Sequence, residues 1–269
     1  NAAGFGFFDG RNMKFETEKL SKMGVKETWL PEVCTGIEKL GLYRNRQVTT
    51  AIGDNQASFL GAAGKEENTL LVNMGTGGQI SILSDQYFAE KGIEARPFLD
   101  GKYLLVGSSL CGGKSYALLE QFFRRVVKAV TGEDSSLYPV MEQFAKTGKE
   151  QSNRISEDRK LKIRTTFDGT RTDPKSSGSI QGLTSDNFTP EAFTYGILEG
   201  MGDELYQMYR TIKNGTGIQI KNLIGSGNGV RKNPVFCEML EELFQNKLVL
   251  SAYKEEAAAG AAISSMLCS

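Results

Sequence analysis

Histidine is absent from all 269 residues. That excludes a Ser–His–Asp triad, a Cys–His pair and any His-ligated metal, so proton transfer falls to Asp, Glu, Lys, Tyr or Cys. Net charge is absent too: 32 Lys and Arg balance 32 Asp and Glu, leaving no basic surplus to attract nucleic acid. No apolar run reaches the roughly 18 residues of a membrane span, so no membrane partner is expected. Only four cysteines occur (Cys34, Cys111, Cys237 and Cys268), far apart and without paired spacing. They read as reduced thiols of a cytoplasmic protein, and neither a disulfide framework nor a zinc site is expected. The chain also starts without Met, and its opening reads as the interior of something longer.

What the chain has in excess is glycine. There are 31, against about 19 at the usual ~7% abundance, and they cluster. The central stretch contains Gly53-Asp54-Asn55-Gln56-Ala57-Ser58, then Gly75-Thr76-Gly77-Gly78 between predicted strands at 70–74 and 79–83. Asp54 stands between a predicted strand and a predicted helix. Glycines at a strand turn let backbone amides approach an anion, because no Cβ intervenes and φ > 0 is open. A plain hairpin turn and a helix N-cap are the bland readings of these two features. Their pairing favours the functional one, as does a second cluster, Gly225-Ser226-Gly227-Asn228-Gly229, followed by Asn233. That cluster is either a flexible strand-to-helix loop or a surface for a flat base. Gly112-Gly113 precedes a helix, a common arrangement in itself.

The remaining pattern organises the chain around these points. Residues 15–24 predict a helix with Leu20 and Met23 on one face, and 29–46 an irregular connection. A small-residue helix is expected at 56–63 and a third strand at 103–106. Leu118, Leu119, Phe122, Phe123, Val126, Val127 and Val130 follow a helical period. Residues 131–179 lack a pattern except for a strand at 161–167 and a loop at 168–174. Thr189 as N-cap and Pro190 at the first position start a long helix that stops at Asn214-Gly215. A strand at 222–224, a helix after Pro234, a strand at 247–250 and a helix from Glu255 complete the chain. The small face of that last helix, Ala257 to Ala262, is expected to pack on the sheet. Three antiparallel strands followed by alternating helices and strands predict an α/β mixed sheet with helices on both faces. Ligands of such sheets gather at strand C-termini and helix N-termini.

Taken together, Gly53 to Ser58, Gly75-Thr76-Gly77, Gly225-Ser226-Gly227 with Asn233, and Glu256 to Ala262 resemble the C-terminal half of the FGGY carbohydrate kinases. Thr170 to Pro174 with Gly182-Leu183 resembles that family's insertion, and the resemblance covers nearly the whole chain. It implies an actin-like, ribonuclease-H-like three-layer domain, the second lobe of a two-lobed enzyme with ATP and sugar in the cleft. Residues 1–46 are then the tail of a missing N-terminal lobe and 47–269 the C-terminal lobe, inactive alone. Carried over by motif, Asp54 is the general base and a Mg²⁺ ligand. Gly75, Thr76 and Gly77 hold the transferring phosphate, and Gly113 approaches the phosphates. Gly225, Ser226, Gly227 and Asn233 line the adenosine pocket, while Asn55 and Gln56 meet the sugar.

Within the family, Ala2 to Phe8 and Gly53 to Ser58 look most like the members that phosphorylate the ketose sedoheptulose. Xylulose, gluconate and glycerol are the alternative substrates, and a homodimer is a further partnership the reading allows. Two other classes stay open. An actin-like nucleotide-binding module that is not a kinase keeps the glycine loops and needs no base at Asp54. A binding domain without nucleotide needs neither.

Overall fold

Alternation of apolar side chains along buried strands builds the centre of the molecule. In the computed structural model, which describes residues 2–267, six strands form one sheet: β1 (Thr69–Met74), β2 (Gly78–Ser84), β3 (Ile93–Pro97), β4 (Tyr103–Ser109), β5 (Asn222–Ser226) and β6 (Leu248–Leu250). Asn1, Cys268 and Ser269 lie outside the described residues. The order is β6-β5-β1-β2-β4-β3. β1, β2, β4 and β3 pair antiparallel in turn, whereas β5 runs parallel to β1 and β6. This is the expected mixed α/β sheet of the actin-like, ribonuclease-H-like class, with β3 as an added edge strand.

Helices cover both faces. α1 (Asp54–Ala63) and α7 (Glu256–Met266) lie on one side; α2 (Gly112–Thr131), α3 (Tyr138–Ser152), α4 (Pro190–Thr216) and α6 (Pro234–Phe244) lie on the other. The short α5 (Asn228–Arg231) follows β5. The two-residue period of a strand divides β1 between the layers. Leu70, Val72 and Met74 join the core under α4, and Leu71 joins Phe59 and Leu60 of α1. A strand buried on both faces reads as an unbroken apolar run.

Several expectations change. Edge strand β3 and helix α3 were not predicted. Ile93-Glu94-Ala95-Arg96-Pro97 carries the charges and proline of an edge strand, which mask its period. In the supposed irregular connection, Lys39–Tyr43 and Arg46–Thr49 form a hairpin. Its turn, Arg44-Asn45, has φ of 48° and 64°, a two-residue primed turn built without glycine. The boundary expected at 46/47 therefore falls inside a paired hairpin. The early helix is only Thr17–Lys22, with Leu20 buried and Met23 exposed rather than sharing its face. The strand expected at 161–167 shrinks to Lys162–Arg164, paired with Ser179–Gln181.

Thr189 does cap α4, its hydroxyl accepting from the Ala192 amide at 3.2 Å. α4 passes through Asn214-Gly215 and ends at left-handed Gly217. Gly215 is small because Phe88 fills the space a side chain would need. The small face of α7 meets α1 rather than the sheet: a Cβ on Gly260 would fall 1.8 Å from the Ala57 carbonyl oxygen.

Candidate functional site

The glycine segments converge at one end of the sheet. The β1–β2 turn is closed by the Gly75 amide, which donates to the Gly77 carbonyl at 3.0 Å. The first turn of α2 then docks onto it: Gly113 N–H donates to the Gly75 carbonyl at 3.1 Å, and Lys114 N–H to the Thr76 carbonyl at 3.0 Å. From the other side, parallel pairing sets Ser226 opposite Asn73, which brings Gly227 against the end of β1.

These glycines are there for closeness more than for unusual torsions. A Cβ on Gly77 would sit 2.6 Å from the Ser109 carbonyl oxygen, and one on Gly113 would sit 2.4 Å from that of Gly75. On Gly227 it would sit 2.5 Å from that of Met74. Only Gly227 among the three also has a left-handed φ, of 80°. The result is a surface made of backbone, on which Gly75 and Thr76 are exposed. Outside the strand ladders, the Thr76 and Gly77 amides find no backbone acceptor among the described residues. Such a turn suits an anion. The Gly113 amide is already spent on holding the turn, so Gly113 contributes its nearness rather than its N–H.

The second glycine loop divides by depth. Gly225 and Ser226 are buried, and a Cβ on Gly225 would meet Val230 and Leu248, so this pair packs α5 onto the sheet. Gly227 is partly exposed. Asn233 is the N-cap of α6: its side-chain oxygen accepts from the Phe236 amide at 3.1 Å. Its bland role is therefore occupied, whatever its amide nitrogen does.

Asp54 is the first residue of α1 and not its cap, which is Gly53. Its carboxylate is exposed and accepts from the Asn55 amide at 2.7 Å. A negative charge in the first turn is favoured by the helix dipole. Beside it, the Asn55 side-chain oxygen is buried with no hydrogen-bond partner. An orphaned buried acceptor is costly in a folded protein, and a ligand hydroxyl would satisfy it. Gln56 differs, because its amide donates to the Pro97 carbonyl at 3.0 Å and fastens α1 to edge strand β3. Among the described residues no hydrogen bond joins Asp54 to the Thr76 turn.

A lysine and a cavity lie outside the sequence-based expectations. Lys114, in the first turn of α2, pairs with Asp168 at 2.7 Å. The hydrogen bond raises the lysine's pKa and lowers the carboxylate's. The signal was available: a lysine near a helix start is electrostatically out of place. A cavity of about 610 Å³ lies elsewhere, between α4 and the hairpin of residues 162–181. Glu204 in its wall accepts a hydrogen bond from Ser109 at 2.8 Å, and burial pushes the Glu204 carboxyl up.

Comparison with known proteins identifies the family. Residues 70–267 match the model of the FGGY family of carbohydrate kinases, C-terminal domain. Sedoheptulokinase of Mus musculus is 25% identical over 266 residues, which cover 91% of this chain and 53% of that protein. Ligand-bound xylulose kinase from Lactobacillus acidophilus superposes with a TM-score of 0.79 at 20% identity, covering 98% of this chain and 54% of that one. Plasmodium falciparum glycerol kinase with ADP gives 0.76 at 20%, covering 97% and 52%. The chain thus spans about half the length of the relatives it matches. With the mixed sheet, the glycine turn and this match over most of its length, the chain belongs to the FGGY family of carbohydrate kinases.

Proposed function

We propose that this chain is the nucleotide-binding C-terminal lobe of an ATP-dependent carbohydrate kinase, and that it works with an N-terminal lobe across a cleft. The observation that carries the reading is the backbone-only surface where Gly75-Thr76-Gly77, Gly113 and Gly227 meet. Phosphoryl transfer asks for positioning and charge stabilisation more than for covalent help, so amide donors, one hydroxyl and one base suffice. Thr76 and the turn amides hold the transferring phosphate, and Gly227 lets the nucleoside lie close to the end of β1. Gly225, Ser226 and Asn233 support that loop from behind. The similar fold of the glycerol kinase with ADP supports the nucleotide part of this reading.

Asp54 takes the proton from the acceptor hydroxyl, and the unpartnered Asn55 oxygen accepts a second hydroxyl of the sugar. Gln56 acts indirectly, by anchoring the start of α1. Among the described residues no three or more His, Cys, Asp and Glu side chains gather into a metal cluster. That suits Mg²⁺, which keeps waters and binds through phosphates and one or two carboxylates; Asp54 is the exposed carboxylate available to it. The ion would neutralise developing phosphate charge.

The acceptor in this reading is a ketose such as sedoheptulose, supported by the identity to the mouse enzyme along most of the chain. A reducing, cytoplasmic setting accords with Cys34, Cys111 and Cys237 being free. No helix among the described residues is long and apolar enough to cross a membrane.

The test joins this chain to an N-terminal lobe of the family and follows sugar-dependent ADP release. Asp54→Asn should keep the fold and most ATP binding, since amide and carboxylate have nearly equal volume, while turnover falls by roughly 10²–10⁴. Near-normal turnover in that variant would reduce Asp54 to a dipole-stabilising residue and remove the base from the reading.

A further inference from the structure

Helix α2 opens with a charge of the wrong sign. Lys114 is its third residue after N-cap Cys111, the place where glutamate or glutamine is favoured. A cation there opposes the positive end of a 20-residue helix, whose first turn has no acidic residue and whose N-cap makes no side-chain bond. The anion that balances it is borrowed from far along the chain. Asp168 reaches back 54 residues to place its Oδ2 at 2.7 Å from Lys114 Nζ.

Position and looseness go together here. The Lys114 amide is bound to the Thr76 carbonyl at 3.0 Å, so its backbone is fixed beside the phosphate turn wherever its side chain points. The ion pair is not fixed in the same way. The side chains of Lys114 and Asp168 are 42% and 40% exposed, and an exposed pair of this kind is weak and open to exchange. A terminal phosphoryl group at the Thr76 turn carries more charge than one carboxylate and presents three acceptor oxygens. It is the better partner for an ammonium group.

We infer that Lys114 is a phosphate-binding residue, and that Asp168 holds it in a contact which the triphosphate of the nucleotide displaces. This rests on the nucleotide reading given above, and adds to it a residue that recognises the phosphate chain rather than the nucleoside. Asp168 then acts as an internal competitor that weakens binding of phosphate-bearing ligands and leaves the nucleoside unaffected.

Calorimetric titration of the chain with ATP and with adenosine separates these effects. Lys114→Gln should weaken ATP by about tenfold, the worth of one charge-assisted contact, and leave adenosine unchanged. Lys114→Arg should restore most of the loss. Asp168→Asn should tighten ATP by roughly two- to fivefold without affecting adenosine, and the gain should shrink as salt rises. Equal ATP affinity in wild type and Lys114→Gln, with both chains melting alike, overturns the inference and leaves the nucleotide site standing. A parallel loss of ATP and adenosine in Lys114→Gln also overturns it, by making the lysine structural. If wild type binds neither ligand, the nucleotide reading itself falls, and this one with it.

Discussion

Substituting Gly260 tests whether α1 is held in place by backbone contact. An alanine Cβ at 260 would lie 1.8 Å from the Ala57 carbonyl oxygen, 2.6 Å from its carbon and 2.9 Å from the Gly61 nitrogen. The reverse contact is nearly as close, with a Cβ on Gly61 2.1 Å from the Glu256 carbonyl oxygen. All four atoms are backbone, so no rotamer change relieves the clash. Reaching an ordinary close C···O separation of ~3.3 Å requires the helices to part by roughly 1.5 Å. Overpacking of this kind costs about 1–3 kcal/mol. Replacing glycine by alanine within a helix returns ~1 kcal/mol. Because the contact is so short, the cost belongs near the top of its range, and a net loss of roughly 1–2 kcal/mol is expected. For a chain of this size that lowers Tm by about 2–8 °C. Gly196→Ala in α4 is the control. There the added Cβ meets Ile163 Cδ1 at 3.2 Å and Cγ1 at 3.3 Å, a side-chain end that turns aside, so the propensity gain dominates. Thermal melts followed by helical circular dichroism should move in opposite directions for the two variants. A Gly260→Ala protein melting at or above wild type would refute the reasoning.

Two other outcomes follow from single residues. Burial pushes Glu199 up to about 7 from 4.5, with Glu157 and Glu242 adding to the shift and Lys160 and Lys162 opposing it. The folded state therefore binds the proton more tightly between those values, and stability falls as pH rises through that window. Glu199→Gln should flatten this slope and gain up to about 3 kcal/mol over wild type above pH ~7. Urea melts at about pH 5 and about pH 8 that differ by the same amount between the two proteins would contradict it. At Gly227, valine faces both a φ of 80° and a Cβ 2.5 Å from the Met74 carbonyl oxygen. Gly227→Val should cost roughly 1–3 kcal/mol and abolish ATP binding measured by titration. Unchanged affinity would move the adenosine site elsewhere.

What the sequence made legible is what local physics decides. β1 and β2 were legible as short apolar runs on either side of a glycine turn, and in β1 four residues in a row, Thr69 to Val72, are buried, with Met74 beyond them. α4 was legible from a Thr-Pro start and a four-residue apolar rhythm, and α7 from paired acids before alanines. The failures share a cause: the deciding contact is distant. β3 is a strand only because β4 supplies its partner, and Ile93 pairs with Gly107 across a charged, proline-ended segment. α3 carries few apolar residues, and of these Met141 and Ala145 are the ones buried. The site divided the same way. Glycines near 75, 113 and 227 stand out by composition, but the particular contacts that require them do not. Most of them avoid a clash with a backbone from another element, which no local pattern encodes. Lys114 was passed over because its partner, Asp168, lies in an unpatterned segment.

Among the described residues no hydrogen bond joins Asp54 to the Thr76 turn, yet one short stretch positions both. Arg231, at the end of α5, donates to the Ser251 carbonyl at 2.8 Å, the Tyr253 carbonyl at 2.6 Å and the Glu256 carboxylate at 2.9 Å. α5 is the helix that follows Gly227, so these bonds tie the glycine loop of residues 225–227 to the start of α7. The same turn of α7 presents the Glu256 carbonyl to Gly61, and one turn later Gly260 reaches Ala57. Ala57 lies in the opening turn of α1, three residues after Asp54. Phosphoryl transfer depends on holding donor and acceptor to within a fraction of an ångström. Among the described residues the proposed base on α1 and the proposed phosphate turn at β1–β2 share no hydrogen bond to set that distance. The segment from Ser251 to Gly260 supplies a common reference made of backbone contacts and one arginine fork. That is a reason for glycine at 61 and 260 that packing alone does not give: any side chain there would move Asp54 relative to the loop proposed to hold the nucleotide.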